Sequence, residues 1–555
     1  MRETAAAQDL LGHANGAETR DRDNKEDKTV IETAFGLRSA FTAPHRLATK
    51  AGADVLESGG SAIEAMVAAA ATIAVVYPHM NGIGGDGFWL IKRPGAAPVG
   101  IFACGQAAGL ATPDWYARQG FETALPSRGG LAALTVPGTI GGWGQALSLL
   151  DAPRPLADLL APAIRYAAEG VAVTRNQSQT TREKLDGLAD VPGFANAFLT
   201  AGHVPESGTP LRQTALAATL SRLAEVGLDD FYAGDLAATH ARFLEASGSP
   251  LRGDDFAGYA ARQVTPLTIR IRQGTLYNMI PPTQGMAALG ILGTFDRLGV
   301  TQAETFAHWH GLVESTKQAF LIRNAELGDE RSMRQPAQDF LTDAELDRMA
   351  AAVDMTRAAP WPHAPVPGDT IWMGAADAEG TVVSFIQSVF WEFGSGLVCP
   401  DTGVFFQNRG AGFSLKPGPN QLAPGKHPFH TLIPGMAELK DGRVFSYGTM
   451  GGEGQPQTQA AVFSRYAMFG QPLQQAVSAP RWLLGKTWGD STDSLKIEAN
   501  ADPDLVQSLR DAGHDIELME PFSSLAGHAG GVVRHADGRT EAASDPRSDG
   551  VSFAE

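Results

Sequence analysis

At 555 residues the chain is long enough for several cores or one large layered fold, and its 43% hydrophobic and 19% charged residues exclude a wholly disordered protein. With 44 Lys+Arg against 61 Asp+Glu, the net charge of −17 repels nucleic acid and anionic lipid surfaces. Two cysteines, Cys104 and Cys399, cannot make a disulfide framework and lack CxxC or Cys/His zinc spacing, which fits a reducing, cytoplasmic setting.

Residues 1–30 carry charges throughout and never form the apolar run of a secretory signal, so a solvated leader is expected there. From about Ala43 to Gly60 the spacing predicts a helix stopped by "SGG", and Ser61 is placed to cap an Ala-rich helix running to Tyr77. That helix, with "AMVAAAATIAVVY", is too short to cross a bilayer and reads as buried. The glycine segment "NGIGGDGFWLI" follows, and Gly82, Gly84 and Gly87 satisfy GxGxxG. A dinucleotide site needs a strand before its glycines and a helix N-terminus after them. Here the order is helix, glycines, strand, so a tight turn or close backbone approach is expected instead.

Residues of about 155 to 355 read as mostly helical. Within them His308 and His310 are two apart, on different helix faces and without HExxH, which predicts structural histidines. The run "TRAAPWPHAPVPGD" then forbids helix and central strand alike and predicts an extended surface loop. After it, "TIWMGAAD", "GTVVSFIQSVF", "GVFFQN" and "RVFSYGTMGG" read as short strands, making the C-terminal third sheet-rich.

The turn "DAEGT" between the first two strands has Asp377 at its start and Gly380 fourth, which suits a type I turn closed by a left-handed glycine. Asp377 then faces Thr381, and stepping back along both strands brings Thr370 opposite Ser388. Their side chains would share one face with Cβ atoms about 5 Å apart. A two-residue loop would instead pair Thr370 with Gln387. Taken alone, two facing hydroxyls read as an ordinary cross-strand hydrogen bond, and the pair by itself is weak evidence for catalysis.

The run "GDTIWMGAADAEGTVVSFIQSVFWEFGSGLVCPDTGVFFQN", with "PHMNGIGGDGFWL", "TVPGTIGGW", "YGTMGGEGQPQTQ" and "ASDPRSDG", resembles the gamma-glutamyltranspeptidase family, in the family's order and over most of the chain beyond the leader. The resemblance implies an α+β fold, the four-layer αββα sandwich of N-terminal-nucleophile hydrolases. It also implies a precursor that cuts itself between Asp369 and Thr370. A helix-rich large subunit (31–369) and a sheet-rich small subunit (370–555) would stay together as a heterodimer, open to further dimerisation. Thr370 would be the nucleophile. Its freed α-amine, ordinarily titrating at about 7.7 to 8.0, would be the base. Ser388 would be the second hydroxyl, and Gly451 and Gly452 the oxyanion donors. The family implies no cofactor and no metal, and neither nucleic acid nor membrane is an expected partner.

Three departures concern specificity. Where the glutamyl enzymes carry arginine in "RE.AP", "ACGQAAGLAT" offers only Cys104 and Gln106. Where they carry acids for the substrate α-amine, "QNRGAGF" has Gly410, Gly412 and the cation Arg409. Their paired serines are replaced by His430 and Thr431 in "KHPFHTLIPG". An arginine there suits a substrate carboxylate close to the reacting amide, although a surface or structural salt bridge explains it equally well. These features resemble the oxamate amidohydrolase branch of the family, active in purine-ring breakdown. The branch implies oxamate cleaved to oxalate and ammonia through a threonyl acyl-enzyme, with Arg409, His430 and Thr431 on the carboxylate. Alternatives are a glutamyl amide such as glutathione, a cephalosporin-type acyl amide, or an uncut, non-catalytic binding protein.

Overall fold

Two seven-stranded antiparallel sheets face each other in the computed structural model, which describes residues 32–361, 369–485 and 493–555. The expected leader and half of the proline-rich run, residues 362–368, lie outside the described residues. In chain order the sheet strands are β1 (Ala34–Gly36), β2 (Ala40–Ala43), β3 (Asp86–Lys92), β4 (Val99–Ala103), β5 (Arg262–Val264), β6 (Leu267–Ile271) and β7 (Gly274–Asn278). Beyond these come β8 (Asp369–Ala376), β9 (Val382–Phe390), β10 (Gly435–Leu439), β11 (Val444–Thr449), β12 (Ala529–Arg534), β13 (Thr540–Ser544) and β14 (Val551–Ala554). The first sheet runs β14–β2–β8–β9–β3–β4–β5 and the second β1–β13–β12–β11–β10–β7–β6. Strands from before and after residue 370 are therefore mixed within both sheets.

Period-two alternation decides which side chains meet. On β8 and β9, Ile371, Met373, Ala375, Val383 and Phe385 face the helix pair α1 (Arg46–Glu57) and α2 (Ala62–Val76). Trp372, Ala376, Val382 and Ile386 face the other sheet. There Trp372 packs so closely on β11 and β12 that a Cβ on Gly448 would lie 2.2 Å from its ring. Helices α3 (Gly285–Arg297), α4 (Phe306–Glu326) and α5 (Gln455–Phe463) contribute to the core behind the second sheet. The order helix, sheet, sheet, helix is the expected four-layer α+β sandwich. Among the described residues no helix is long and apolar enough to cross a membrane.

The hairpin follows its turn chemistry. Asp377 N–H donates to Thr381 O at 3.1 Å, Gly380 sits at φ 97°, and Ile371–Gln387 through Ala376–Val382 hold the expected register. Asp377 also ties the hairpin to the helix layer. Its Oδ1 accepts the Thr381 N–H at 2.7 Å and its Oδ2 the Ala62 N–H at 2.9 Å, beside the Ser61–Glu64 capping box of α2. At the open end the register slips, and Asp369 pairs with Phe390.

Two stretches differ from expectation. The mainly helical region contains β5, β6 and β7, where "LTIRIRQGTLYN" alternates with period two. "GVFFQN" forms only isolated bridges, Val398–Phe405 and Gly84–Phe406, because it runs against the glycine turn. That turn is the expected close approach: a Cβ on Gly84 would lie 1.9 Å from Phe405 O, and one on Gly85 2.1 Å from Ser388 O. Protein backbone occupies the space a phosphate would need.

His308 and His310, expected to be structural, are both buried and hydrogen-bonded. His308 Nε2 bonds Ser464 Oγ at 2.9 Å. His310 Nε2 bonds Asp354 O at 2.7 Å, and its Nδ1 meets His514 Nε2 at 2.8 Å. Ligand atoms of His310, Glu314 and His514 lie within 4.8 Å of one another. Glu314, however, already accepts from Lys317 Nζ at 2.6 Å and from the Ala359 N–H at 3.2 Å.

Candidate active site

At one end of the first sheet, three buried polar residues stand in a row across β8, β9 and β3. Ser388 pairs with Asp86, while Thr370 lies between the pairs Asp369–Phe390 and Ile371–Gln387. Alternation puts all three side chains on the face turned toward the second sheet, in step with Trp372, Ile386 and Phe88. At one strand spacing per step, Thr370 and Asp86 are about 10 Å apart. Ser388 Oγ accepts the Phe390 N–H at 2.8 Å, which stabilises the strand end where Phe390 adopts φ 83°.

Asp86 is the hub on the far side of Ser388. Its Oδ1 accepts from the backbone N–H groups of Gly105 (3.2 Å) and Gly138 (3.1 Å) and from Gln407 Nε2 (3.0 Å). Its Oδ2 lies 3.0 Å from His430 Nε2. Burial pushes the Asp86 carboxyl up to about 7, with Arg409, Gln407 and the two backbone donors pulling the other way. Burial, then the charges of Arg409 and His427, hold the His430 imidazole well below its ordinary value, so the ring is neutral. Phe88 packs edge-on against it at 4.8 Å.

Arg409 is fully buried, which removes the surface salt bridge as an explanation. Its guanidinium stacks on Phe390 at 3.9 Å, and Nη1 donates to Thr431 Oγ1 at 3.2 Å. Nε and Nη2 have no protein partner among the described residues, and neither has His430 Nδ1. Burial draws the Arg409 pKa down to about 9, against the opposing pull of Asp86. Hydrogen bonds to a charged group contribute about 1.5–3 kcal/mol each, so a bound anion would satisfy a guanidinium that the protein leaves two short.

Gly451 and Gly452 turn the chain after β11 with φ of 117° and 53°. Gln284 joins this turn to the Arg409 side, donating from Nε2 to Gly452 O at 2.8 Å and to Thr431 O at 3.0 Å. Arg323 fixes that amide by donating to Gln284 Oε1 at 2.9 Å, and it pairs in turn with Glu453. Arg409, His430, Thr431 and Gly452 thus join one buried network, with Gly451 half-buried at its edge, linked through Asp86 to the row holding Ser388 and Thr370. Gly410 leaves room for Leu134, whose Cγ would lie 2.2 Å from an added Cβ. Cys104 is buried with its thiol pushed up, chiefly by burial and then by Asp86, and so is neutral.

Asp86, Gln407, Gln284 and Arg323 were not singled out by the sequence. Asp86 stands inside a segment read only for its glycines. Its place two residues before the inward-facing Phe88 was the available signal.

Residues 48–554 match the gamma-glutamyltranspeptidase family. The chain is 52% identical to the oxamate amidohydrolase proenzyme of Klebsiella pneumoniae subsp. pneumoniae, over 92% of this chain and 97% of that protein. It is 37% identical to the glutathione hydrolase-like YwrD proenzyme of Bacillus subtilis, over 94% and 99%. The crystal structure of a cephalosporin acylase from Bacillus halodurans superposes with a TM-score of 0.88 at 30% identity, covering 97% of this chain and 99% of that one.

Proposed function

The chain belongs to the gamma-glutamyltranspeptidase family, and from that premise we propose a self-processing amidohydrolase whose substrate is a small anionic amide, oxamate above others. In this reading the precursor breaks at Asp369–Thr370 into a large subunit ending at residue 369 and a small subunit beginning at Thr370. The new α-amine takes the proton from Thr370 Oγ1 as that oxygen bonds to the amide carbon. The same proton passes to the leaving nitrogen, and ammonia departs. Water then attacks the threonyl ester, giving its proton to the amine, and oxalate leaves as Thr370 recovers its own. Ser388 orients the nucleophile, and the Gly451–Gly452 turn offers N–H groups to the oxyanion. Arg409, supported by Thr431, takes the carboxylate.

The observation that carries this reading is the buried guanidinium of Arg409, two hydrogen bonds short and joined to the Thr370 row. A glutamyl substrate would bring its ammonium toward that cation, which disfavours the second reading. Ammonia release from oxamate, compared with cleavage of γ-glutamyl-p-nitroanilide, tests the choice. Faster turnover of the glutamyl compound would overturn the substrate, and an active protein left uncut would overturn the mechanism. N-terminal sequencing of the smaller fragment should begin TIWMG.

A further inference from the structure

Resting on that reading, we propose that Asp86 is a positioning residue that sets specificity: it holds His430 in the tautomer with its proton on Nε2. Nδ1 then offers a lone pair to the amide N–H of the substrate while Arg409 holds the carboxylate.

Three donors converge on Oδ1 of Asp86, namely Gly105 N–H, Gly138 N–H and Gln407 Nε2, and they fix the rotation of the carboxylate. That rotation leaves Oδ2 facing His430 Nε2 at 3.0 Å. A carboxylate only accepts, so the ring hydrogen resides on Nε2 and Nδ1 is bare. Nδ1 is buried without a protein partner among the described residues. Its neighbour in sequence, Thr431, supplies the hydroxyl that holds Arg409, whose Nε and Nη2 are likewise unmatched. An unmatched acceptor and unmatched donors on one buried network are the complement of a ligand carrying an N–H next to a carboxylate. A primary amide of a short diacid has both on adjoining carbons, whereas the corresponding ester has only the carboxylate. A site built to hydrogen-bond a substrate N–H rejects the analogue lacking it, because its own buried group is left unpaired.

Asp86→Asn in the full chain tests this. The asparagine oxygen can still accept from the three donors on its side. Its NH2 then faces Nε2, which must accept, and the imidazole proton moves to Nδ1. Hydrolysis of oxamate and of monoethyl oxalate is measured for wild type and variant after confirming that both are cut. The amide-to-ester ratio of kcat/KM should fall at least about 20-fold. An unchanged ratio, or a parallel fall in both, overturns the proposal. If Asp86→Asn does not fold, His430→Phe keeps a ring against Phe88 without the lone pair and must give the same collapse; an unchanged ratio there also overturns it. Histidine-selective 15N NMR of the wild type needs no substrate, so it separates this inference from the choice of oxamate. A proton on Nδ1 of His430 would refute the tautomer whatever the enzyme hydrolyses.

Discussion

Two buried polar clusters in this molecule use similar residues to opposite ends. Around His310, Glu314, Lys317 and His514, the cation has its carboxylate, each histidine has a partner, and no buried side-chain atom is left over among the described residues. Around Asp86, Arg409 and His430, the carboxylate is saturated, but Arg409 Nε and Nη2 and His430 Nδ1 are not. Burying an unmatched polar atom costs about 1–3 kcal/mol. A ligand that supplied the missing partners in the second cluster would recover that cost. Bare residue identity, two histidines and an acid in the first cluster, points to the wrong one.

Substitutions can break or sharpen that contrast. The largest effect is expected for Thr370→Ala, which should leave a single uncut chain without hydrolytic activity on a denaturing gel and in an ammonia assay. Splitting at the same bond would place the nucleophile elsewhere. Next, Arg409→Met should lower kcat/KM for oxamate by about 10³, mostly through KM, since truncating one member of a buried charge contact costs about 2–5 kcal/mol. Cutting should be unaffected, and Arg409→Lys should recover only part of the loss because it lacks the planar fork.

The pH profile comes third. Asp86 is raised to about 7, so below that pH it gains a proton, donates it to His430 Nε2 and forces hydrogen onto Nδ1. Wild-type kcat/KM should fall as pH drops through about 7, and Asp86→Asn should lack that limb while keeping the one owed to the Thr370 amine. The charged and titratable groups acting on Asp86 are Arg409, His430 and Cys104, with Tyr232 and Tyr259 also coupled to it. The same shift has a sign for folding. A carboxyl raised in the folded state contributes stability below its unfolded value near 3.8 and loses it as pH rises through about 7. Denaturant titrations from pH 4 to 7 should therefore show wild type losing stability relative to Asp86→Asn. Ser388→Ala should cost about tenfold in kcat, as expected of a group that orients rather than attacks. Smallest in activity is Lys317→Met in the saturated cluster. It should leave KM for oxamate unchanged, while denaturant melts show a loss of about 3–5 kcal/mol from the stranded Glu314.

Much of the Thr370 side of the site was legible because turn chemistry is local. Asp377 and Gly380 specify the loop, the loop specifies the register, and the register places Ser388 beside the Thr370 strand. Family motifs supplied Arg409, His430, Thr431 and the glycine pair. Asp86 and Gln284 were missed because their roles exist only across long separations in sequence. The carboxylate of Asp86 is fixed by Gln407 and His430, more than 300 residues away. Of the strands inside the helical stretch, β6 and β7 carried a local period-two signal that went unread, while β5, a three-residue edge strand, is decided by pairing with β4.

The mixing of strands from both sides of residue 370 within each sheet has a consequence for anyone wishing to make this molecule in two pieces. Strand β8 is clasped between β2 and β9, and β14 closes the far edge beside β2, so neither half alone owns a finished sheet. Separately expressed halves would each present raw edges and aggregate before meeting. Once cut and unfolded, the pair should not find its way back, leaving an enzyme whose architecture can be reached only from an intact parent.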